Sequence, residues 1–272
     1  MHSETSPVFS ACAAALAGPR QPRVWSVIIT IFGDLAQAPG DTISGAVLSR
    51  ITELAGIKPE AQRVALHRLR KDGWIESARV GRLSHHRLTA FGRALSAEAT
   101  PRIYAERIDP PARWHVLIAG GEEAAREALD AVLLTGDYIS VSPQAALGPG
   151  PVPEGCADLL SFDTARFGVP DWARERVFPA DLRAAYDRLH DALREVAESL
   201  GPAPVLAPLE AATLRMLVVH NWRRLVLKHP EVPREFYPEG WSGEACRAEV
   251  ARILSRVPRP GLEQLDGTDS AA

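Results

Sequence analysis

Residues 58–89, KPEAQRVALHRLRKDGWIESARVGRLSHHRLT, set a basic helix directly before a short basic hairpin. With Ala65 at the centre of a helical wheel, Ala61, Leu69 and Asp72 fall within about 40° of it, while Arg63, His67 and Arg70 gather on the opposite side. One face is suited to packing and the other to phosphate. Pro59 at the first helical position loses no hydrogen bond, Glu60 suits the positive end of the dipole, and Gly73 ends the helix. Trp74 and Ile75 open a strand that turns near Val80-Gly81-Arg82-Leu83 and returns antiparallel over residues 84–88. Alternation turns His86 inward with Leu88, and His85 and Arg87 outward.

Toward the N-terminus, Trp25, Ile28, Ile29, Phe32 and Leu35 make an apolar stripe at helical spacing over residues 24–36. A second stripe, Ile43, Val47, Ile51 and Leu54, stops at Gly56, where a left-handed residue ends a helix. Helix, tight turn, helix and hairpin form the outline of a winged helix-turn-helix over residues 20–97. In that geometry Arg63, His67 and Arg70 face the major groove and Lys58 and Lys71 lie near phosphates. Arg82 at the hairpin tip reaches the sugar-phosphate backbone or the minor groove, with His85 and Arg87 beside it. Arg63 is the candidate for base reading, since a guanidinium bonds O6 and N7 of one guanine together. His67 is either a base contact or a spacer. Arg68, near the edge of the packing face, is read as half of a structural ion pair.

The net charge of −3 on the 272-residue chain is unevenly divided. Residues 20–93 hold 12 Lys or Arg against 6 Asp or Glu, whereas residues 94–272 hold 19 against 27. A basic head on an acidic body fits a polyanion partner, because neutralising phosphates releases counterions. The length suits two or three modules. No apolar run reaches the roughly 18 residues of a membrane-spanning helix. The stretch SACAAALAG at residues 10–18 is too short for a secretory leader and follows Glu4 where a basic residue would stand, so residues 1–19 read as a flexible arm, disordered or weakly helical. Cys12, Cys156 and Cys246 have no metal-like spacing, which points to reduced thiols in a cytoplasmic protein and no zinc site.

Farther along, residues 113–119 and 137–142 read as strands on either side of a helix at 122–134. A Gly- and Pro-rich loop at 148–155 and a strand near 157–162 follow. Helices are expected at 182–200 and 209–227, with a third capped by Ser242. No Ser-His-Asp arrangement, Gly-rich phosphate loop or paired-carboxylate motif stands out, so no catalytic residue, metal ligand or cofactor is assigned.

The segments SVIITIFGD, RVALHRLRKDGWI and GRLSHHRLT, with Gly92 after them, and VVHNWRRLVLKHPEVPREFYPEGWSG near the C-terminus resemble the PaaX family. The likeness covers residues 20–258. His86, His229, Val232 and Phe236-Tyr237 depart from the residues usual at those positions, while Trp241 and Gly243 match. The resemblance implies a homodimeric repressor of phenylacetic acid degradation operons. It would bind double-stranded operator DNA and leave it when an aryl-acetyl-coenzyme A thioester such as phenylacetyl-CoA binds.

It also implies an α+β chain of three parts: the N-terminal winged helix-turn-helix, a middle ferredoxin-like α+β module at 98–165 for dimerisation or spacing, and a C-terminal helical effector domain at 166–258. A flexible tail at 259–272 completes it. Small nuclease subunits of CRISPR systems share such a module and hold metal on an Asp at the end of the first strand. Here Ala119-Gly120-Gly121 stands there, with no carboxylate for magnesium. In the effector domain His220, Trp222, Arg223 and Arg224 are the candidate contacts, cations for phosphates beside an aromatic platform. The competing reading makes the basic pair a complement to the helix dipole and Trp222 a core residue. Two rival functions stay open: a repressor of another aromatic or acyl-CoA pathway, and an enzyme, either a metal-dependent nuclease or an acyl-CoA transformer.

Overall fold

The chain is α+β, with helices and two small antiparallel sheets. The computed structural model describes residues 5–18, 22–81, 83–109, 111–164 and 166–266. Two compact units emerge, each assembled from separated stretches: Met1–Glu106, Asp187–Val226 and Gly243–Ala272 in the first, Arg107–Tyr186 and Leu227–Ser242 in the second.

The first unit opens with α1 (Pro7–Ala15), α2 (Val24–Leu35), β1 (Ile43–Ser44), α3 (Gly45–Leu54), α4 (Pro59–Lys71), β2 (Ile75–Val80), β3 (Leu83–Leu88) and α5 (Ala90–Tyr104). A helix apolar almost all round is a buried helix, and α2 places Val27, Ile28, Ile29, Ile31, Phe32 and Leu35 in the core. Ser44 caps α3 by accepting from the Val47 amide at 3.2 Å. Helices α3 and α4 end alike. Gly56 (φ 72°) and Gly73 (φ 73°) turn left-handed, and Ile57 N donates to Thr52 O and Trp74 N to Leu69 O, both at 2.9 Å. Strand β3 lies between β1 and β2, with Ile75 opposite Leu88 and Val80 opposite Leu83. Thr89 caps α5, and a Cβ at Gly92 would stand 2.3 Å from the Trp74 carbonyl oxygen, so only glycine lets α5 start this close to the hairpin.

The second unit holds β4 (Trp114–Ile118), α6 (Glu123–Leu134), β5 (Ile139–Ser142), β6 (Ala145–Pro149), β7 (Leu160–Thr164) and α7 (Asp171–Val177). Its sheet runs β5-β6-β4-β7 with every neighbour antiparallel, and α6 seats Ala125, Leu129 and Val132 against Leu117, Ala119 and Ala146. Strand β6 corrects the loop expected from residue 148: Gly148 and Pro149 pair with His115 and Trp114. Its composition favours a strand weakly, but a Cβ at Gly148 would meet the Tyr138 ring at 2.1 Å, and that ring donates its hydroxyl to His115 Nε2 at 2.9 Å. The HPEVPREFYPEGW stretch gives His229, Val232 and Phe236 to this unit's interior: His229 Nε2 accepts from the Tyr186 hydroxyl at 2.8 Å, and the Trp241 ring lies 4.4 Å from Tyr186 and 4.5 Å from Phe178.

Helix α8 (Ala180–Leu200) begins in the second unit and continues in the first, which then adds α9 (Pro208–Val226), α10 (Gly243–Arg256) and α11 (Leu262–Asp266). Leu209, Ala212 and Met216 of α9 enter the same core as α2, α3 and α4. Arg215 grips Asp34 of α2 through two bonds of 2.9 Å, and the Tyr104 hydroxyl donates to the same carboxylate at 2.9 Å. The C-terminal helices, expected as a domain of their own, therefore complete the core of the first. Both ends expected to be flexible contain docked helices. Phe9, Cys12 and Leu16 are buried around α1, with Glu210 accepting from Ser6 N at 2.6 Å, and Leu265 of α11 is buried in the main core. Runs this short gain order from packing, since isolated helices of their length are unstable.

Candidate nucleic-acid interface

Helix α4 sends Gln62, Ala65, Leu66 and Leu69 inward. That centres its packing face about 50° round from Ala65 toward Leu66, so Ala61 and Asp72, expected to pack, are exposed instead. Directly opposite the packing face stand Glu60, Val64, His67 and Lys71, flanked by Arg63 and, on the other side, Arg68. Lys58, Arg63, His67, Arg70 and Lys71 are all exposed, so five of the expected contacts share the outer surface of one helix. A 3.1 Å pair with Glu60 holds Arg63, and such surface pairs contribute little and open readily. Arg68 makes the ion pair expected of it, at 3.4 Å to Asp72, and lies 5.6 Å from the Trp25 ring centroid.

Val64 is the residue that sequence reasoning passed over. It is 70% exposed in the middle of the basic face. A hydropathy reading assigns valine to the core, but its wheel angle relative to Leu66 and Leu69 marks it as outward.

Across the hairpin ladder Glu76 faces Arg87, and their exposed side chains meet at 2.8 Å, a surface pair of the same weak kind as that of Arg63. His86 is buried as alternation requires, with Nδ1 2.7 Å from Ser77 Oγ; burial, then Arg70 and His85, hold its pKa below the ordinary value. His85 is half-buried. Arg82 lies outside the described residues. Val80 and Leu83, paired at the end of the ladder, are exposed apolar residues there.

The four candidate effector contacts on α9 do not converge. Trp222 is 1% exposed, donates its indole N–H to Ile103 O at 2.9 Å and is covered by the Arg247 guanidinium at 5.1 Å. His220 is buried against α2. Thr30 Oγ1 gives its proton to Ser26 O, so it accepts from Arg223 Nη1 at 3.0 Å and faces His220 Nδ1 at 3.3 Å. Burial, then Arg224 and Arg223, lowers the His220 pKa to about 3. Arg223 lines a hollow of about 40 Å³, room for a water and not for a thioester, while Arg224 is exposed. Among the described residues no group of three or more His, Cys, Asp or Glu could hold a metal ion, and no helix is long and apolar enough to cross a membrane.

Residues 23–92 match the family described as PaaX-like protein, and residues 179–266 match PaaX-like protein C-terminal domain. The chain belongs to the PaaX family. The first PaaX match runs from α2 to the start of α5 and so contains the whole exposed face of α4; the second takes in α8 to α11. Transcriptional repressor PaaX of Escherichia coli (strain K12) is 27% identical over 258 residues, covering 87% of this chain and 81% of that protein. Among solved structures, uncharacterized protein Rv0674 from Mycobacterium tuberculosis has a similar fold, with a TM-score of 0.51 at 19% identity over 90% of this chain and 97% of that one.

Proposed function

We propose that this chain is a cytoplasmic, homodimeric transcriptional repressor of phenylacetate catabolism genes, a binding protein and not an enzyme. It holds double-stranded operator DNA through a winged helix-turn-helix made of α2, α3, α4 and the β2–β3 hairpin. The observation that carries this reading is α4 itself: its inner face is spent on Gln62, Ala65, Leu66 and Leu69, and its outer face is basic and free of any core role. The likeness to a protein named as a transcriptional repressor supports it. In the major groove Arg63 bonds a guanine edge, Lys58 and Lys71 meet phosphates, and Val64 meets a thymine methyl. Two such helices in a dimer read half-sites about one DNA turn apart.

The middle module is read as ferredoxin-like. Numbering its own strands from one to four, the sheet order is second, third, first, fourth, all antiparallel, with a helix between the first two. A loop stands in place of that pattern's second helix.

An aryl-acetyl-coenzyme A, taken to be phenylacetyl-CoA, is the proposed effector. It releases DNA only if it binds the DNA-incompetent state more tightly than the competent one. A gel shift on the DNA upstream of the chain's own gene, with and without phenylacetyl-CoA, tests both halves. A retarded band that phenylacetyl-CoA dissolves is expected. No band removes the DNA reading, and a band insensitive to the thioester removes the effector.

A further inference from the structure

We propose that the second unit holds a binding site for a small amphipathic anion, a ligand with an aromatic or short aliphatic body and one negatively charged group. The site is on the face of the four-stranded sheet turned away from α6. Ladder partners set Ile139 beside Leu147, Leu147 beside Val116 and Val116 beside Phe162, so each strand gives one apolar side chain to a single row across the sheet. Phe167, Trp172 and Phe236 wall the row from the other side and leave a hollow of about 270 Å³. That volume is near the lower end of ligand pockets, which start at roughly 300 Å³. It suits one ring and a short linker, with anything larger remaining outside the mouth.

Exposure at the mouth points the same way. Trp172 is 57% and Phe162 49% exposed, a concentration of aromatic surface that soluble proteins keep for partners. The charged residues of the wall are Arg166 and Arg176, with no carboxylate among the lining residues. Elsewhere in this unit Arg113 pairs with Asp163 at 2.7 Å and Arg174 with Asp171 at 3.0 Å. Arg176 instead donates Nη1 to the Val141 carbonyl at 2.7 Å, which fixes its head at the rim and leaves further N–H groups for an anion. A second copy of the chain is a poorer occupant. A twofold contact through this face would set the arginine-bearing patch against its own equivalent, with no acid in the wall to answer it.

The pocket rests on this geometry alone; that its ligand also loosens operator DNA rests on the reading above. Calorimetric titration of the full chain with 4-phenylbutyrate, and with 4-phenyl-1-butanol as the same body without the charge, tests the site. The acid should bind at least tenfold more tightly than the alcohol. Replacing Arg166 and Arg176 together by Gln should erase that preference while leaving the alcohol's affinity and the melting temperature in place, and Trp172→Ala should weaken both ligands. Phenyl phosphate in the same titration separates a phosphate head group from a carboxylate, and tight binding of either supports the site.

No binding of either anion, or equal binding of the acid by wild type and the double Arg variant, overturns it. So does a wild-type dimer that Trp172→Ala converts to monomer without any ligand binding, since the face would then be a protein interface. A chain that binds the acid but no DNA keeps the pocket and loses the repressor reading; a chain that binds DNA but neither anion does the reverse.

Discussion

Val64 is an apolar side chain that folding leaves in water, at the centre of a face whose other residues are Glu60, Arg63, His67 and Lys71. A thymine C5-methyl is the apolar feature of the major groove, so this residue can read a base without a hydrogen bond. Replacing operator thymines one at a time by deoxyuridine should weaken wild-type binding at one position and leave Val64→Ala indifferent there; a variant that responds like wild type at every thymine contradicts the contact. Arg63→Ala should cost about 1 to 3 kcal/mol of specific affinity and relax the preference at one base pair, measured by competition gel shift.

His220 makes a different kind of prediction. Its folded pKa is about 3 against an ordinary 6.5, so in acid the unfolded chain takes up a proton that the folded chain refuses. Stability should therefore fall as pH drops from about 6.5 toward 3. His220→Gln should flatten that part of the profile in urea titrations; identical profiles would show that the imidazole is not held neutral by the fold.

At the scale of elements, α1 joins the structure through Phe9, Cys12 and Leu16 and through Glu210, which accepts from both Ser6 N and Ser6 Oγ. Removing residues 1–17 uncovers that patch of α9 and leaves the Glu210 carboxylate short of partners. The urea midpoint should drop with the m-value nearly unchanged, and an unmoved midpoint would mean that α1 is not docked. The Asp34–Arg215 pair ties α2 to α9 in the same way, but through charge. Asp34→Ala strands a buried guanidinium and should destabilise by about 3 to 5 kcal/mol. Asp34→Leu with Arg215→Met and Tyr104→Phe should recover most of the loss, because an apolar cluster of similar size carries no desolvation cost and leaves no hydroxyl without its carboxylate.

For the whole molecule, the core under the proposed DNA-reading helix contains Leu209, Ala212, Met216 and Leu265 from far along the chain. A fragment of residues 20–97 has α2, α3, α4 and the β2–β3 hairpin but lacks those partners. Expressed alone it should lose cooperative unfolding followed by circular dichroism, whereas the full chain keeps it. A fragment that unfolds as sharply and at the same midpoint would show that α9 only decorates that core.

Local rules in the sequence determined α2, α3, α4 and the β2–β3 hairpin. Helical stripes, Pro59 at a helix start and Gly56 and Gly73 at helix ends act over a few residues, and so they can be read from a few residues. The basic surplus before residue 94 and the inward turn of His86 were legible for the same reason. Only the tertiary structure decided what those elements lie against. Strand β6 exists through its ladder with β4, despite a composition poor in strand formers. The outward face of α4 is centred on Val64, His67 and Lys71 because Leu66, and not Ala61, found a place in the core. Arg215, Trp222 and His220 are interior groups because α9 crosses a core begun two hundred residues earlier. Burial is a property of contacts between distant stretches, and a periodicity that announces an apolar face does not say which partner will cover it.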